Sequence, residues 1–516
     1  MELIFEGYQP DKNASEESLF HTANGYIGIR ACPEEGQVEG IPSIRGTYMN
    51  AFYDIKPIRY GEKLYGFPET QQGIVNLTDV QTIKLFIEEE QFLPSSQGEV
   101  LGYRRSLDMK FGFAERFIHW RSPKGQEVEI SIRRMASLLV PELFYLQYAV
   151  KALNFSGEIC FESIVLGDVS NYADASDPRV AAEKLRHLVV ENVRMDEQSG
   201  LIESRTVTSN LKLAAAVSYL PPHDFKLQMD GAADSLTAKA DGNILQGENL
   251  VFTLFAAFAD SRRHDNPASK ARQTVRDALL NGVAFYEKAQ REILDEFWEN
   301  SRVLVKSDEA LQNSLDYSLY SLYCSCGRDE VSSIAAKGLS GEGYEGHYFW
   351  DTEIYIFPFF LLTDRQRAKN LLSFRYSILP QAREHARIMG HPSGALYPWR
   401  TISGSECSGY FPSGSAQYHL SADISHAFMQ YYLATDDIDF MAQKGAEVLV
   451  ETARLFLDAG HWYEGKFRID AVTGPDEYSC IVDNNFYTNA GAQDTLRNAV
   501  IITRMLIEQG KAEAVF

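Results

Sequence analysis

The sequence predicts an α+β multidomain protein, with an N-terminal antiparallel β-sandwich, a helical linker and a helical C-terminal domain. Short apolar runs separated by Gly, Pro and Asn fill residues 1–262, as in all-β domains. A polar stretch at 261–267 interrupts this pattern. Beyond it, apolar residues recur with a helical period. We therefore predict a sandwich over 1–262, a linker over 263–304 and a helical domain over 305–516.

One strand of the sandwich shows the expected alternation clearly. Val128, Ile130 and Ile132 alternate with polar residues after a Lys-Gly turn, which is typical of a half-buried strand. Further strands are predicted from short, mostly apolar runs at 143–150, 213–220 and 250–259.

The helices are predicted from apolar stripes. A single helix over 268–298 is expected because residues spaced four apart would share one face, namely Phe285, Ala289, Ile293 and Phe297. Two later stripes are Leu311, Leu315, Leu319 and Leu322, and Leu496, Val500 and Ile507. Long aromatic loops at 340–358, 391–419 and 459–489 separate these helices, and long ordered loops are usually functional.

Composition excludes several classes of partner. The net charge of −22 opposes binding to nucleic acid and to anionic membranes. The start, residues 1–6, lacks a basic and apolar leader, and the longest apolar run, 354–362, is too short to span a bilayer. We therefore expect a cytoplasmic protein whose six cysteines are reduced thiols.

The segment VTGPDEY at 472–478 carries two adjacent carboxylates on a Gly-Pro turn. Tyr478 and Tyr487 are expected to cover a carboxylate here, and loss of solvation would raise its pKa. A carboxyl that stays protonated near neutrality can act as the general acid that cleaves a glycosidic bond. The alternative is an ordinary surface turn.

A second segment, residues 341–353, combines aromatic rings, glycine turns and acidic groups. Aromatic faces cover the apolar face of a pyranose, and carboxylates accept hydrogen bonds from its hydroxyls. The segment therefore indicates a sugar site. The alternative is that Trp350 is simply a core residue.

Together these segments resemble family 65 of the glycoside hydrolases, the inverting α-glucoside phosphorylases. The resemblance is carried by four blocks: GHYFWDTE at 346–353, YPWRT at 397–401, AQYH at 416–419 and VTGPDEY. It extends into the N-terminal part, at 18–20, 24–28 and 46–50. It implies a β-sandwich, a linker helix and an (α/α)6 barrel.

Residues 305–516 supply too few helices to close six pairs, so the barrel is expected to be incomplete and to lack its C-terminal part. In the family, phosphate-binding elements lie downstream of the catalytic glutamate and have no counterpart in this sequence. We therefore expect residues 1–516 alone to bind glucose weakly and to show little phosphorolysis.

The resemblance also implies roles for individual residues. Glu477 is the expected general acid, and its neighbour Asp476 is better explained as a turn residue. Trp350 and Asp351 are expected to bind the glucose that reacts. The role of His347 stays open between substrate binding and a structural hydrogen bond.

Trp399 and Arg400 are expected to wall the acceptor subsite, and the loop 403–418 to select the acceptor. Candidate substrates are trehalose, kojibiose, nigerose, maltose or a glucosyl-glycerol.

One convincing carboxylate is too few for inverting hydrolysis, which needs two. Inorganic phosphate would remove the need for a second carboxylate, because it is an anionic nucleophile that needs no protein base. The expected partners are therefore a disaccharide and phosphate, with a homodimer left open. No metal or cofactor is required, and no metal-ligand spacing is found. The alternatives are an inverting α-glucosidase and an inactive sugar-binding fragment.

Overall fold

The structure is a computed structural model that describes residues 1–63, 65–174, 176, 184–412, 414–511 and 513. Positions 413 and 514–516, which fall within the predicted acceptor loop and the predicted helical domain, lie outside the described residues.

The chain divides into two compact units. The first, here called the β unit, comprises Met1–Asp54, Ile74–Cys326 and Lys337–Glu345. The second, the helical unit, comprises Ile55–Gly73, Gly327–Ala336 and Gly346–Phe516. The predicted linker 263–304 is part of the β unit by this division, and the boundaries at 262 and 304 stay a proposal.

The strands are, in chain order, β1 (Glu2–Glu6), β2 (Thr22–Ala23), β3 (Ile27–Ile29), β4 (Thr47–Pro57), β5 (Thr70–Asn76), β6 (Asp79–Ile87), β7 (Glu90–Gln91), β8 (Glu99–Asp108), β9 (Phe113–Arg121), β10 (Glu127–Ala136), β11 (Leu143–Ala152), β12 (Gly157–Leu166), β13 (Leu188–Met195), β14 (Ser199–Thr206), β15 (Lys212–Leu220), β16 (Lys226–Gly231), β17 (Ser235–Ile244), β18 (Asn249–Asp260), β19 (Gly460–Tyr463) and β20 (Lys466–Ile469).

Besides a four-stranded sheet in the order β2-β3-β4-β5, two large antiparallel sheets form the sandwich of the β unit. One has nine strands in the order β1-β8-β9-β10-β11-β18-β15-β14-β13, and the other has five in the order β16-β17-β12-β6-β7. Side chains from both sheets share one core. Phe161 of the smaller sheet stacks on Phe252 of the larger one, with ring centroids 5.2 Å apart. The predicted antiparallel sandwich is therefore confirmed.

The predicted strands are confirmed as well. Val128, Ile130 and Ile132 are fully buried on β10, while the polar residues between them are partly exposed. The three apolar runs form β11, β15 and β18, which are neighbours in the larger sheet.

The helices are, in chain order, α1 (Asn13–Leu19), α2 (Pro267–Asn281), α3 (Val283–Ser301), α4 (Glu309–Ser325), α5 (Phe357–Thr363), α6 (Arg365–Ser377), α7 (Leu379–Ile388), α8 (His419–Thr435), α9 (Ile438–Phe440), α10 (Ala446–Ala459) and α11 (Phe486–Glu508).

The single helix predicted over 268–298 is wrong, because two helices meet there. Gly282, at φ 73°, separates α2 from α3, and this left-handed conformation favours glycine and ends a helix. Of the predicted stripe, only Phe297 is buried. Phe285 is 48% exposed, whereas Tyr286 and Leu294 are buried.

The other two stripes also misjudge the buried face. On α4 the buried positions include Asp316 and Tyr320 rather than Leu311. On α11, Ala499 and Ile502 are buried, while Val500 is 50% exposed. Period alone locates a helix, but the packing partner selects which stripe is covered.

Helix α8 is the centre of the helical unit. Twelve of its positions are buried: His419, Leu420, Ser421, Ala422, Asp423, Ile424, Ser425, Ala427, Phe428, Met429, Tyr431 and Tyr432. A helix with polar residues at such positions must satisfy them internally. Its N-terminal turn is where the candidate site forms.

Candidate active site

Glu477 lies at the tip of a loop closed by a short antiparallel bridge. The bridge joins Val472 and Val482 through two backbone hydrogen bonds of 3.0 and 2.8 Å. Inside it, the backbone N–H of Gly474 donates to the carbonyl of Ser479 at 3.1 Å. The Asp476 carboxylate accepts from the N–H of Tyr478 at 3.1 Å, an Asx turn. This geometry agrees with the turn role expected for Asp476.

The stem of this acid loop (residues 472–482) is flanked by strained backbone. Ala471, Ile481 and Asn484 all have positive φ, at 56°, 46° and 59°. For the β-branched Ile481 this is a true outlier, and such residues cost of order 1–3 kcal/mol each. Asn485 then caps α11, accepting from the N–H of Thr488 at 3.0 Å. Strain of this kind persists only where the surroundings hold it in place.

The predicted aromatic cover over Glu477 is wrong. Tyr478 is 99% exposed, and Glu477 is itself exposed. Tyr487 is half-buried, but its hydroxyl donates to Asp423 at 2.8 Å. Sequence proximity suggested stacking, but the turn directs Tyr478 into solvent.

Behind the loop, the Glu477 carboxylate meets a buried amide. The Gln417 Nε2 group donates to Glu477 Oε1 at 3.2 Å, and Gln417 Oε1 lies 3.1 Å from His419 Nε2. His419 Nδ1 in turn lies 2.7 Å from Asp423 Oδ2. Gln417, His419 and Asp423 are at most 4% exposed. A hydrogen-bond chain therefore runs from the loop tip into α8.

Trp350 contacts the same hydrogen-bond chain at His419. Its ring stands edge-to-face with His419, with centroids 4.9 Å apart, and lies 6.4 Å from Tyr487 and 5.6 Å from Tyr355. Asp351, the next residue, is exposed and precedes a π-helical turn over Thr352–Ile356. Such π turns are frequent at functional sites.

A buried ion pair anchors the segment that carries Trp350. Arg375 on α6 bonds Glu353 through two contacts, Nε to Oε1 at 2.8 Å and Nη2 to Oε2 at 2.7 Å. Arg375 also donates to the Phe349 carbonyl at 3.0 Å. Burial raises the pKa of Glu353, against the opposing effect of Arg375. The planar fork of Arg375 thereby fixes the backbone on both sides of Trp350.

The YPWRT block is paired with this segment. Tyr348 and Thr401 exchange backbone hydrogen bonds of 2.8 and 3.2 Å. Phe349 stands edge-to-face with Trp399 at 5.3 Å. Trp399 and Arg400 are both half-buried. The structure thus brings together the segments predicted to bind glucose and acceptor.

Glu406 shapes the turn that follows. This buried carboxylate accepts from the N–H groups of Trp399, Cys407 and Ser408 at 2.6, 2.9 and 2.8 Å. Burial raises its pKa to about 7, although these donors and Arg400 act the other way. Desolvation outweighs the hydrogen bonds because the carboxyl is enclosed on all sides.

His347 occupies an interior position. It is fully buried, and its Nε2 donates to the Gln72 carbonyl at 2.6 Å. Burial lowers the pKa of His347 to about 3, so the ring is neutral. Its Nδ1 has no hydrogen-bond partner among the described residues. This placement fits the structural alternative left open in the sequence, and not contact with a sugar.

Sequence reasoning missed four residues that organise the site: Arg375, Glu406, Gln417 and His419. The AQYH block was recognised but given no role. Its His419 is followed by Asp423 at the helical spacing i, i+4, and that pair was a usable signal. Arg375 gave no such signal, because its partner is 22 positions away.

The described residues contain no group of three or more His, Cys, Asp or Glu side chains placed to hold a metal ion. No helix among them is both long enough and apolar enough to cross a membrane.

A β-sandwich followed by a helical unit, with an exposed glutamate and a tryptophan-aspartate pair on aromatic loops, defines a class of carbohydrate-active proteins. The chain belongs to glycosyl hydrolase family 65. Residues 3–297 match the family's N-terminal domain and residues 316–515 its central catalytic domain.

Its relatives include two α,α-trehalose phosphorylases. That of Geobacillus stearothermophilus is 49% identical over 485 residues, covering 94% of this chain and 63% of the relative. That of Thermoanaerobacter brockii is 41% identical over 507 residues, covering 96% and 65%. The kojibiose phosphorylase of T. brockii is 30% identical over 537 residues, covering 98% and 66%. The chain therefore spans less than two thirds of the length of each.

A solved structure of a human-microbiome protein assigned as a kojibiose phosphorylase superposes with a TM-score of 0.89 at 23% identity. It covers 100% of this chain and 69% of that one. The likeness confirms the predicted fold class, a sheet-rich N-terminal domain followed by the family's helical domain.

Proposed function

We propose that the protein catalyses inverting phosphorolysis of an α-glucosyl disaccharide. The observation that carries this proposal is the continuous set of contacts between Glu477 and Trp350. Gln417 contacts Glu477, His419 contacts Gln417, and the ring of Trp350 stands against His419. The proposed acid and the proposed sugar platform are thus linked by direct contacts within the helical unit. The family membership and the phosphorylase relatives support the same reaction.

In the proposed reaction Glu477 is the general acid. A phosphate oxygen forms a bond to the anomeric carbon on the face opposite the leaving group, while the glycosidic C–O bond breaks. Glu477 gives its proton to the departing oxygen. The monohydrogen phosphate consumed supplies the proton that restores Glu477, so the net products are β-glucose 1-phosphate and a free sugar. The exposed position of Glu477 lets it reach the leaving oxygen.

Trp350 and Asp351 bind the reacting glucose in this proposal. The Trp350 ring supplies an apolar face, and the exposed Asp351 carboxylate accepts hydrogen bonds from sugar hydroxyls. The rigid support from Arg375 and Glu353 favours this role, since a binding site needs side chains that hold still.

Trp399 and Arg400 wall the acceptor subsite in the same proposal. Both are half-buried and carried by the loop that Glu406 fixes. Trehalose is the first acceptor-donor combination to test, because two of the relatives are trehalose phosphorylases. Kojibiose is the second.

The experiment is a disaccharide panel incubated with and without phosphate, run on residues 1–516 and on the full-length protein, meaning these residues plus any downstream coding sequence. Phosphorolysis predicts that sugar release requires phosphate and that proton NMR of the early product shows the β-anomer of glucose 1-phosphate. Release of free glucose at equal rates without phosphate would identify an inverting α-glucosidase instead. Binding without turnover of any sugar would identify an inactive sugar-binding protein.

Two further expectations stay proposals. A cytoplasmic location can be checked by cell fractionation. Self-association as a homodimer can be checked by sedimentation at several protein concentrations.

A further inference from the structure

Among the described residues, only the buried amide of Gln417 hydrogen-bonds the Glu477 side chain. We propose that Gln417 is a positioning residue for the general acid, and that His419, Asp423 and Tyr487 hold its amide in place. This inference rests on the proposed role of Glu477. It assigns a function to a chain of contacts that the reaction itself does not require.

The donors and acceptors of this hydrogen-bond chain can be assigned starting from its inner end, at Asp423. Asp423 receives the Tyr487 hydroxyl at Oδ1, 2.8 Å away, and faces His419 Nδ1 at Oδ2, 2.7 Å away. Burial, with Asp423 alongside, raises the pKa of Tyr487, so its hydroxyl stays protonated and donates. The carboxylate therefore accepts from both partners. His419 Nδ1 is fixed as a donor, and Nε2 is left to face Gln417.

The Gln417 amide can serve either protonation state of the acid. When Glu477 is ionised, the amide N–H donates to the carboxylate. When Glu477 carries its proton, the amide oxygen can accept from the carboxylic acid. A general acid alternates between these states in each turnover. An amide therefore keeps a hydrogen bond to Glu477 in both.

The segment that carries Gln417 is fixed on both sides. The carbonyl of Ala416 accepts from the N–H of Thr473, in the acid loop, at 2.9 Å. The hydroxyl of Tyr418 meets His391 Nε2 at 2.7 Å, and His391 Nδ1 meets Asp458 at 2.7 Å. This second His-Asp arrangement has no recorded contact with Glu477. The distance between the amide and the acid loop is therefore set by the scaffold rather than by the loop alone.

The competing explanation is that Gln417 merely satisfies buried polar groups. The two explanations differ in how a loss depends on the leaving group. A residue that positions the acid matters when the leaving oxygen needs a proton. It matters little when the leaving group is fluoride, which departs without full protonation. A residue that only supports the fold affects both substrates equally.

The test compares Gln417→Met with wild type in the full-length protein, on the disaccharide found active and on α-glucosyl fluoride. We expect kcat/KM for the disaccharide to fall by up to about 10²-fold, the effect of misplacing a catalytic group by about 1 Å. Turnover of the fluoride should change little. In the double variant with Glu477→Gln, the disaccharide rate should fall no further than in Glu477→Gln alone, because both changes act through one group.

Tyr418→Phe is the matched control, since it also removes one hydrogen bond to a His-Asp pair from the adjacent residue. It should show no difference between the two substrates. If Gln417→Met does not fold, Gln417→Asn replaces it, because it keeps an amide but withdraws it from Glu477 by one methylene. Equal fractional losses on both substrates, no loss on either, or an additive double variant would each overturn the inference.

Failure of the proposed function is visible separately. The leaving-group comparison can be read with water or phosphate as the nucleophile. Loss of phosphate dependence would therefore overturn phosphorolysis while the ratio of the two substrates still decides the role of Gln417. A wild-type protein that turns over neither substrate would overturn both.

Discussion

The Trp350 segment and the acid loop are supported in different ways, although contacts through His419 and Gln417 join them. Residues 346–353 are anchored by a buried ion pair, Arg375–Glu353, in which both side chains are 1% exposed. The acid loop ends in an exposed carboxylate held by one amide at 3.2 Å and by backbone bonds at its stem.

This difference in support matches the two proposed roles: the Trp350 segment must hold its position, whereas Glu477 must change its charge. A buried, bidentate ion pair is costly to disrupt, because removing one partner leaves an uncompensated charge. In the proposed reaction, that suits a surface which binds the same sugar in every turnover. A general acid gains and loses a proton, and a permanent charged partner would favour one state over the other. Support by a neutral amide avoids that bias.

The largest expected effect is on the acid. We expect Glu477→Gln to lower phosphorolysis of an unactivated disaccharide by about 10²–10⁴-fold, the usual contribution of a general acid. The amide keeps the shape of the side chain but has no proton to give to the leaving oxygen. Steady-state rates and glucose titrations measure the effect, and sugar affinity should be retained. Near-normal turnover would remove Glu477 from the mechanism.

The next largest effect is expected for the ion pair that anchors the Trp350 segment. Arg375→Met should destabilise the protein by about 3–5 kcal/mol, because Glu353 would be left buried without its partner. Thermal unfolding of the variant measures this, and adding Glu353→Leu should recover part of the loss.

Arg387→Ala is the control for that experiment. Its ion pair with Glu384 is 63% and 62% exposed, so the melting temperature should barely change. Equal shifts for the Arg375 and Arg387 variants would contradict the distinction between a buried anchor and a surface pair.

Asp351→Ala should weaken glucose binding by about 1.5–3 kcal/mol, the value of a hydrogen bond to a charged group. Asp351 is exposed, so the fold should be unaffected. Calorimetric titration with glucose checks the affinity, and unfolding temperature checks the fold. Unchanged affinity in a folded variant would show that the Trp350 segment is structural only.

The last prediction concerns Glu406 and the pH dependence of stability. Because burial raises its folded-state pKa to about 7 from an ordinary 4.5, the folded protein holds this proton more tightly than the unfolded chain. The stabilisation is fully present below pH about 4.5 and is lost as pH rises through about 7, at no more than about 1.4 kcal/mol per pH unit.

Melting temperatures of wild type and Glu406→Gln between pH 5 and 8 test this. The wild type should lose stability relative to the variant as the pH rises, since the variant cannot ionise. Glu342, whose burial also raises its pKa to about 7, is present in both proteins and cancels in the difference. Parallel curves would show that Glu406 does not titrate in this range.

Much of the fold was predictable because its signals are local. The alternation of Val128, Ile130 and Ile132 identifies β10 without reference to any partner. Gly282 is a local stop signal between two helical patterns, which the apolar period by itself does not register. The buried face of α11 could not be found in this way, since Val500 and Ile502 are equally apolar and only packing separates them.

The candidate site shows the same division between local sequence signals and contacts that depend on packing. The sequence alone predicted the blocks containing Trp350, Asp351 and Glu477 as the candidate site, because the chemistry of sugar cleavage restricts the residue types and they are close in sequence. Only the tertiary structure decided that Tyr478 faces solvent, that His347 is interior and that Gln417 meets Glu477. Those three facts depend on the direction of side chains and on contacts between distant segments. A linear pattern holds neither, since both are fixed only when the segments pack.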